Sequence, residues 1–170
     1  MSGTSISREE IASRISLRKA VSGDGPFFYN LYRDSRKDEV AAFGFSGEQQ
    51  DLFFQMQFRG LQHSYSIQAD IAEDQVILLD DVPIGRLVIL RTAKEIRLAD
   101  IAVMSGWRDR GIGTFLIRKL LVESNKTGKP VTLHVQKGNP AAGLYSRLGF
   151  VITEDTGVLL TMERRAATTS

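Results

Sequence analysis

Apolar side chains recur at helical spacing in the centre of the chain and at strand spacing on either side of it. Leu116, Ile117 and Leu120 share one face of a helix. Residues 95–104, just before that helix, form an apolar run that is typical of a strand. The pattern therefore predicts that a strand enters a central helix through residues 107–114.

The remaining apolar runs predict further helices and strands around this centre. Asp24 to Pro26 combine a capping residue with a proline, which is typical of a helix start. A second helix is expected after Ser46, where Phe54 and Phe58 belong to a broad aromatic stripe. Strands are expected at residues 15–21, 75–80, 84–91, 95–104, 131–136, 151–153 and 158–162, with a last short helix between residues 139 and 149. This alternation predicts an α/β fold.

The length and composition favour one domain. A chain of 170 residues with 42% hydrophobic content can bury a substantial core, and no shift in composition divides it. We therefore expect a single domain over residues 1–170, with mobile tails at residues 1–13 and 164–170. Alternatively, Ser7 to Glu10 form a capping box that starts a short helix.

Charge and cysteine content narrow the possible functions. The chain has 22 Lys and Arg against 20 Asp and Glu, a formal charge of +2, which makes no strong case for a nucleic-acid partner. It has no cysteine, which excludes disulfides, thiolate catalysis and cysteine-type zinc sites. Because no signal peptide or membrane-length apolar run is found, we expect a soluble, cytoplasmic protein without a membrane partner.

The segment between the central strand and helix has the chemistry of an anion site. Gly111 and Gly113 open the helix, whose first N–H groups lack intrahelical partners and carry partial positive charge. Arg108 and Arg110 add two cations. The diphosphate of a nucleotide-like cofactor suits this arrangement. The segment lacks the Lys-Ser or Lys-Thr of a Walker loop, and Leu116 stands where a dinucleotide fingerprint needs a small residue.

Two motifs resemble those of one enzyme superfamily. Arg108, Gly111 and Gly113 match the Arg-or-Gln-x-x-Gly-x-Gly/Ala signature of the GNAT acetyltransferases. Residues 139–150, Asn-Pro-Ala-Ala-Gly-Leu-Tyr-Ser-Arg-Leu-Gly-Phe, resemble the Asn…Leu-Tyr-x-x-Leu-Gly-Phe block that follows the next strand in many members. Tyr145 stands one position closer to the motif asparagine than in many members. The contact of Asn139 with the cofactor can therefore differ from the contact in those members.

The resemblance implies a fold and a reaction. The fold is a mixed, mostly antiparallel sheet of about seven strands flanked by about four helices, with splayed central strands. The reaction is transfer of an acetyl group from acetyl-CoA, without a metal, to a primary amine that attacks directly in a ternary complex. A small-molecule or peptide amine is the expected acceptor, residues 22–68 are expected to select it, and many relatives form homodimers. The aromatic stripe is then either core packing or the wall of an acceptor pocket.

The resemblance also assigns roles to residues. The backbone of the central strand would bond the pantetheine arm, and one of its N–H groups would polarise the thioester carbonyl. The amides that open the central helix would hold the diphosphate, and Tyr145 would act as general acid. The cofactor-binding residues implied are Ile101, Ala102, Val103, Arg108, Arg110, Gly111, Ile112, Gly113, Thr114, Asn139 and Tyr145.

The sequence leaves several candidates for the general base. His134 occupies the strand position where some family members carry a catalytic glutamate, and a neutral imidazole can accept the proton of an ammonium group. Asp34, Glu95 and Asp100 are further candidates. His63 is expected to be a partly buried packing residue.

Two other functions compete with catalysis. A non-catalytic sensor that binds acyl-CoA would need the cofactor motif but neither Tyr145 nor a base. Nucleic-acid binding through the arginines is a weaker alternative.

Overall fold

The computed structural model describes residues 5–167, in which five helices flank a single sheet of seven strands. The helices are α1 Arg8–Arg14, α2 Gly25–Ala41, α3 Gly47–Ile67, α4 Ile112–Thr127 and α5 Ala141–Arg147. The strands are β1 Ile15–Lys19, β2 Ala72–Leu79, β3 Val82–Arg91, β4 Ile96–Val103, β5 Val131–Gln136, β6 Val151–Asp155 and β7 Leu159–Arg164. No helix within residues 5–167 is long and apolar enough to cross a membrane.

The sheet opens in its middle. Its strand order is β1-β2-β3-β4-β5-β7-β6, and every neighbouring pair is antiparallel except β4 and β5. Those two strands pair only where Ile96–Leu98 meet Val131–Leu133. Beyond that point they have no common ladder and diverge. The mostly antiparallel sheet with splayed central strands is thereby confirmed, with five helices where about four were expected.

The two faces of the sheet carry different helices. The larger core lies between the sheet and α1, α4 and α5, and its fully buried members include Ile77, Leu116 and Ile117. Strand alternation sends the intervening residues to the opposite face, where Val76 packs with Phe28 of α2. The functional residues are therefore divided between an α4–α5 face and an α2–α3 face.

The N-terminal segment corrects one prediction. The Ser7 hydroxyl accepts a hydrogen bond from the Glu10 N–H and starts α1, whose Ile11 is buried in the larger core. A mobile arm is therefore wrong for residues 8–13, because one buried apolar side chain docks them. The alternative, a helix capped by Ser7, is correct. Residues 1–4 lie outside the described part.

Strand β7 includes the first residue of the segment that was predicted to be a mobile C-terminal tail. Arg164 is the last residue of β7 and is paired with Val131. The Ala167 N–H donates a hydrogen bond to Asn125 of α4. Pairing in the sheet thus extends through Arg164, and the predicted tail over residues 168–170 lies outside the described residues.

Candidate active site

The loop between β4 and α4 turns through two left-handed residues. Asp109 has φ 61° and Gly111 has φ 84°. A β-carbon at position 111 would lie 3.2 Å from Cδ of Arg8, closer than ordinary van der Waals contact. Glycine is therefore favoured at this position by its backbone conformation, and a side chain there would also have to displace the stem of Arg8.

The start of α4 presents free backbone donors. Its first helical hydrogen bond runs from the Phe115 N–H to the Gly111 carbonyl, and no side chain caps the helix. The N–H groups of Ile112, Gly113 and Thr114 donate to no group among residues 5–167. Three free N–H groups at the positive end of a helix of 16 residues form a site for a phosphate.

Arg108 connects this loop to β4 and to α2. Its Nε donates to the Val103 carbonyl at 3.0 Å, and its terminal nitrogen donates to Asp34 at 3.1 Å. Asp34 also accepts from the Ser105 N–H and hydroxyl, at 2.8 and 3.0 Å. Burial raises the pKa of Asp34. Hydrogen bonds from Ser105 and Lys37 and the charge of Arg108 outweigh this effect, so the pKa lies below its ordinary value. Asp34 is thus an ionised clamp between α2 and the loop.

Arg110 and Trp107 lie beside the loop. The Arg110 guanidinium stacks on the Trp107 ring at 4.9 Å from its centroid, and Arg110 is exposed. Trp107 packs against the larger core. Arg110 forms no ion pair within the described chain, so of the two motif arginines it is the one with a free charge.

Strand β4 has one paired and one free edge beside this loop. Ile101, Ala102 and Val103 pair with β3 on one side. On the other side β5 has already diverged, since the last β4–β5 pair is Leu98 with Leu133. Backbone groups along this stretch of β4 therefore face the opening.

Tyr145 lies on the α4–α5 face of the opening. Its side chain is only 8% exposed, and its ring centroid is 5.9 Å from that of Phe150. Burial, together with the nearby charge of Asp100, raises the pKa of Tyr145 to about 12. Its hydroxyl has no hydrogen-bond partner in the described part of the chain, and its proton is retained at neutral pH.

Asn139 stabilises the start of the helix that carries Tyr145. Its Oδ1 accepts a hydrogen bond from the Ala141 N–H at 2.9 Å. This contact to the backbone two residues on is an Asx turn. The side-chain oxygen of Asn139 therefore orients α5.

A cavity of about 130 Å³ lies on the opposite, α2–α3 face. Aromatic rings, a cation and a carboxylate line it, among them Phe28, Tyr32, Phe58, Tyr65, Arg86 and Asp100. The hydroxyls of Tyr32 and Tyr65 find no hydrogen-bond partner among residues 5–167, and burial raises the pKa of both. The aromatic stripe is therefore divided, because Phe54 is buried in the core while Phe58 and Tyr65 line the cavity; its use as an acceptor pocket stays a prediction.

Asp100 is the carboxylate of this cavity. Its side chain accepts no hydrogen bond from another side chain within residues 5–167. Burial raises the pKa of Asp100 to about 6, although the charges of Arg86 and Arg36 act in the opposite direction. A carboxyl group with this pKa can exchange a proton near neutral pH.

Arg86 is a site residue that sequence reasoning missed. It is 3% exposed, donates two hydrogen bonds to Asp74 at 2.9 and 2.7 Å, and lies 4.0 Å from the centroid of the Phe28 ring. The available signal was an arginine inside the apolar run at residues 82–90. A buried arginine there needed a carboxylate partner.

The two histidines and Glu95 take other positions. His134 is exposed on β5, and its Nδ1 lies 3.1 Å from the Thr161 hydroxyl. Glu95 accepts a hydrogen bond from Thr132 at 3.0 Å and pairs with Arg97 at 3.1 Å. His63 is exposed, so its predicted packing role is wrong, because it lies off the buried stripe of α3.

Comparison with known proteins identifies the family. Residues 26–150 match the model of the acetyltransferase (GNAT) family. The chain belongs to the GNAT family. It is therefore an acyltransferase enzyme, and the general reaction of its fold is acyl transfer from acetyl-CoA.

Solved structures of GNAT proteins share its fold. A PaiA N-acetyltransferase from Thermoplasma acidophilum, in complex with coenzyme A, is 19% identical, with a TM-score of 0.69 over 89% of this chain and 98% of that one. The ribosomal-protein-S18-alanine N-acetyltransferase from Escherichia coli is 20% identical, with a TM-score of 0.63 over 92% and 96%.

Two much longer mammalian proteins share a short stretch of sequence. The cysteine-rich protein 2-binding protein of Mus musculus is 42% identical over 60 residues, which is 35% of this chain and 7% of that protein. Its Homo sapiens counterpart is 48% identical over 48 residues, 28% of this chain and 6% of that protein. The chain thus matches only a small part of these curated relatives.

The residues of this GNAT chain fit coenzyme A. The three free N–H groups of α4 suit a diphosphate, and the left-handed backbone of Gly111 turns the chain into the helix whose start exposes them. A β-carbon at Gly113 would lie 3.9 Å from Ile101, so the helix start lies close to the free edge of β4. Both predicted binding segments, 101–103 and 111–114, therefore border one opening.

Proposed function

We propose that this GNAT enzyme transfers the acetyl group of acetyl-CoA to a primary amine by direct attack within a ternary complex. The observation that carries the proposal is the opening between β4 and β5. Free helix amides border it, Tyr145 lies on one face, and the carboxylate cavity lies on the other. A donor and an acceptor can therefore meet through the sheet.

The donor is assigned to the α4 side of the opening. The N–H groups of Ile112, Gly113 and Thr114 would bond the diphosphate, and backbone groups of Ile101–Val103 would hold the pantetheine arm. When bound, acetyl-CoA supplies an acetyl group already activated as a thioester. The chain has no cysteine to accept that group, which favours direct attack over a thioester on the enzyme.

Tyr145 is proposed as the acid. Its hydroxyl would deliver a proton to the leaving sulfur as the carbon–sulfur bond breaks. An ordinary thiol has a pKa of roughly 8.5, and apolar surroundings raise it, which brings it closer to the raised pKa of the Tyr145 phenol.

Asp100 is proposed as the base that takes the proton of the attacking ammonium. It lies in the cavity, its carboxylate is free of side-chain hydrogen bonds within the described chain, and it is ionised above its pKa of about 6. A carboxylate among aromatic rings also favours a cationic primary amine as acceptor. His134, on the other strand of the opening, is the second candidate.

The pH dependence of catalysis separates the two bases. With Asp100 as base, kcat/KM rises through about pH 6 because the ionised carboxylate is the active form. Asp100→Asn should abolish this limb and lower the rate on the order of 10²-fold, while His134→Ala keeps the limb. The opposite pattern would assign the base to His134.

Turnover itself is tested with a panel of small amines and short peptides. Free thiol release and a mass increase of one acetyl group on the acceptor are expected together. Binding of acetyl-CoA without thiol release across the panel would refute the enzymatic proposal for those acceptors and favour the sensor.

A further inference from the structure

We propose that Arg8 is an additional residue that binds the diphosphate of coenzyme A. Its helix, α1, lies before the residues 26–150 that match the family model. The cation would thus come from an element that this chain adds to the matched region. The inference rests on the proposed placement of the diphosphate against residues 111–114.

The helix that carries Arg8 is fixed against the cofactor loop. Ser7 caps α1, and Ile11, which is 2% exposed, belongs to the same core cluster as Ile112 at the start of α4. Because both ends of this contact are buried, α1 holds a defined position beside the loop. Arg8 is the first residue of α1.

The side chain of Arg8 runs across the glycine that opens α4. Its Cδ, Cγ and Cβ lie 3.2, 3.5 and 3.7 Å from the position that a β-carbon of residue 111 would take. The distances shorten toward Cδ, the carbon to which the guanidinium group is attached, so the aliphatic stem of Arg8 lies against Gly111 and its charge lies within reach of the loop. Neither Glu9 nor Glu10 forms an ion pair with Arg8 within the described residues.

Charge balance explains why the loop needs this cation. A diphosphate brings negative charge to a site where the free N–H groups supply only the partial charge of a helix terminus. The motif residue Arg108 is already paired with Asp34. Arg8 and Arg110 also lie beside the loop, and neither is paired with a carboxylate within residues 5–167.

Calorimetric titration with coenzyme A, 3′-dephospho-coenzyme A and pantetheine tests the proposal. Arg8→Met keeps the aliphatic contact with Gly111 and removes the charge. It should weaken binding of both nucleotides by about tenfold, since one partly exposed charge-assisted contact is lost. Pantetheine binding should not change, and Arg8→Lys should recover part of the affinity.

The matched control is Arg59→Ala, which removes one exposed positive charge on α3, across the sheet. It should bind all three compounds like the parent. Parental affinity in Arg8→Met would overturn the proposal, and so would a loss confined to coenzyme A, which would assign Arg8 to the 3′-phosphate. A parent protein that binds coenzyme A but acetylates no amine would contradict the proposed function and leave this test intact.

Discussion

Two acidic groups on opposite faces of the opened sheet have raised pKa values for one physical reason, which is burial. For Asp100 the shift, to about 6, brings a carboxyl group into the range where it gains and loses protons at neutral pH. For Tyr145 the shift, to about 12, keeps a phenol protonated. The same desolvation thereby suits Asp100 to the proposed role of base on one face and Tyr145 to the proposed role of acid on the other.

The first prediction concerns the acid. Tyr145→Phe keeps the ring packed against Phe150 and removes the proton, so kcat should fall on the order of 10²-fold while coenzyme A affinity stays the same. Steady-state kinetics and calorimetry measure the two quantities. Tyr29→Phe is the control, because Tyr29 lies on α2 and is not among the residues that line the cavity. An unchanged kcat in Tyr145→Phe would remove Tyr145 from the chemical step.

The second prediction concerns stability and pH. The pKa of Asp100 is higher in the folded protein, about 6, than in an unfolded chain, roughly 3.9. The native state therefore binds more protons between these values, and the contribution of Asp100 to stability is lost as pH rises through about 6. The free energy of unfolding of Asp100→Asn, relative to that of the parent, should therefore increase by about 2 kcal/mol from pH 4 to pH 8.

Urea unfolding at the two pH values measures this gain. The exposed Asp70→Asn is the matched control and should show no such trend. A constant free-energy difference between Asp100→Asn and the parent at both pH values would contradict the raised pKa.

At the scale of the element, α4 begins and ends at glycines with left-handed backbone. Gly111 has φ 84° and Gly128 has φ 76°. A β-carbon at Gly111 would press on Arg8, whereas nothing lies within 4 Å of one at Gly128. A non-glycine residue at either position would carry the free-energy cost of a left-handed backbone. The two positions differ in the atoms that surround them.

The third prediction uses this pair. Gly111→Ala and Gly128→Ala should each destabilise the protein by about 1 kcal/mol through the left-handed backbone. Only Gly111→Ala should also weaken coenzyme A binding, because its methyl group would press on Arg8 beside the loop that is proposed to hold the diphosphate. Thermal melts and calorimetry give both quantities. Equal coenzyme A affinities in the two variants would place the diphosphate elsewhere.

Sequence predicted the elements whose own residues mark their limits. Strand β5 alternates strictly, and α4 ends where Gly128 and Pro130 break it, so both were predicted closely. Helix α1 was less certain because a helix of seven residues depends on docking Ile11, a contact made outside the helix. The turn between β2 and β3 falls at Asp80 and Asp81, both left-handed, so β3 begins at Val82, two residues before the predicted strand.

The candidate site was predictable only where it is contiguous in sequence. The segment 107–114 and Tyr145 were found because each belongs to a motif. The roles of Arg108 and Arg86 could not be found, since each depends on a distant carboxylate, Asp34 and Asp74 respectively. Pairing of this kind is fixed by tertiary packing, which leaves no local pattern.

At the scale of the whole molecule, the sheet consists of two parts joined by a short ladder. Strands β1 to β4 form one part, and β5, β7 and β6 form the other. Only Ile96–Leu98 and Val131–Leu133 connect them directly. The larger core also joins the two parts of the sheet, because it contains residues from both, such as Leu98 of β4 and Leu133 of β5.

The last prediction follows from this division. Coenzyme A bound in the opening would contact the free edge of β4 and the start of α4, so their amide hydrogens should exchange more slowly in its presence. Hydrogen exchange read by mass spectrometry should show the strongest protection over residues 99–115, and much less over residues 72–79, which pair with β1 and β3 on both sides. Ligand at 100 times its Kd should also stabilise the fold by about 2.7 kcal/mol, or roughly 5–10 °C in Tm. Equal protection of both segments, accompanying that rise in Tm, would mean that binding acts only through global stability and that the opening is not the site.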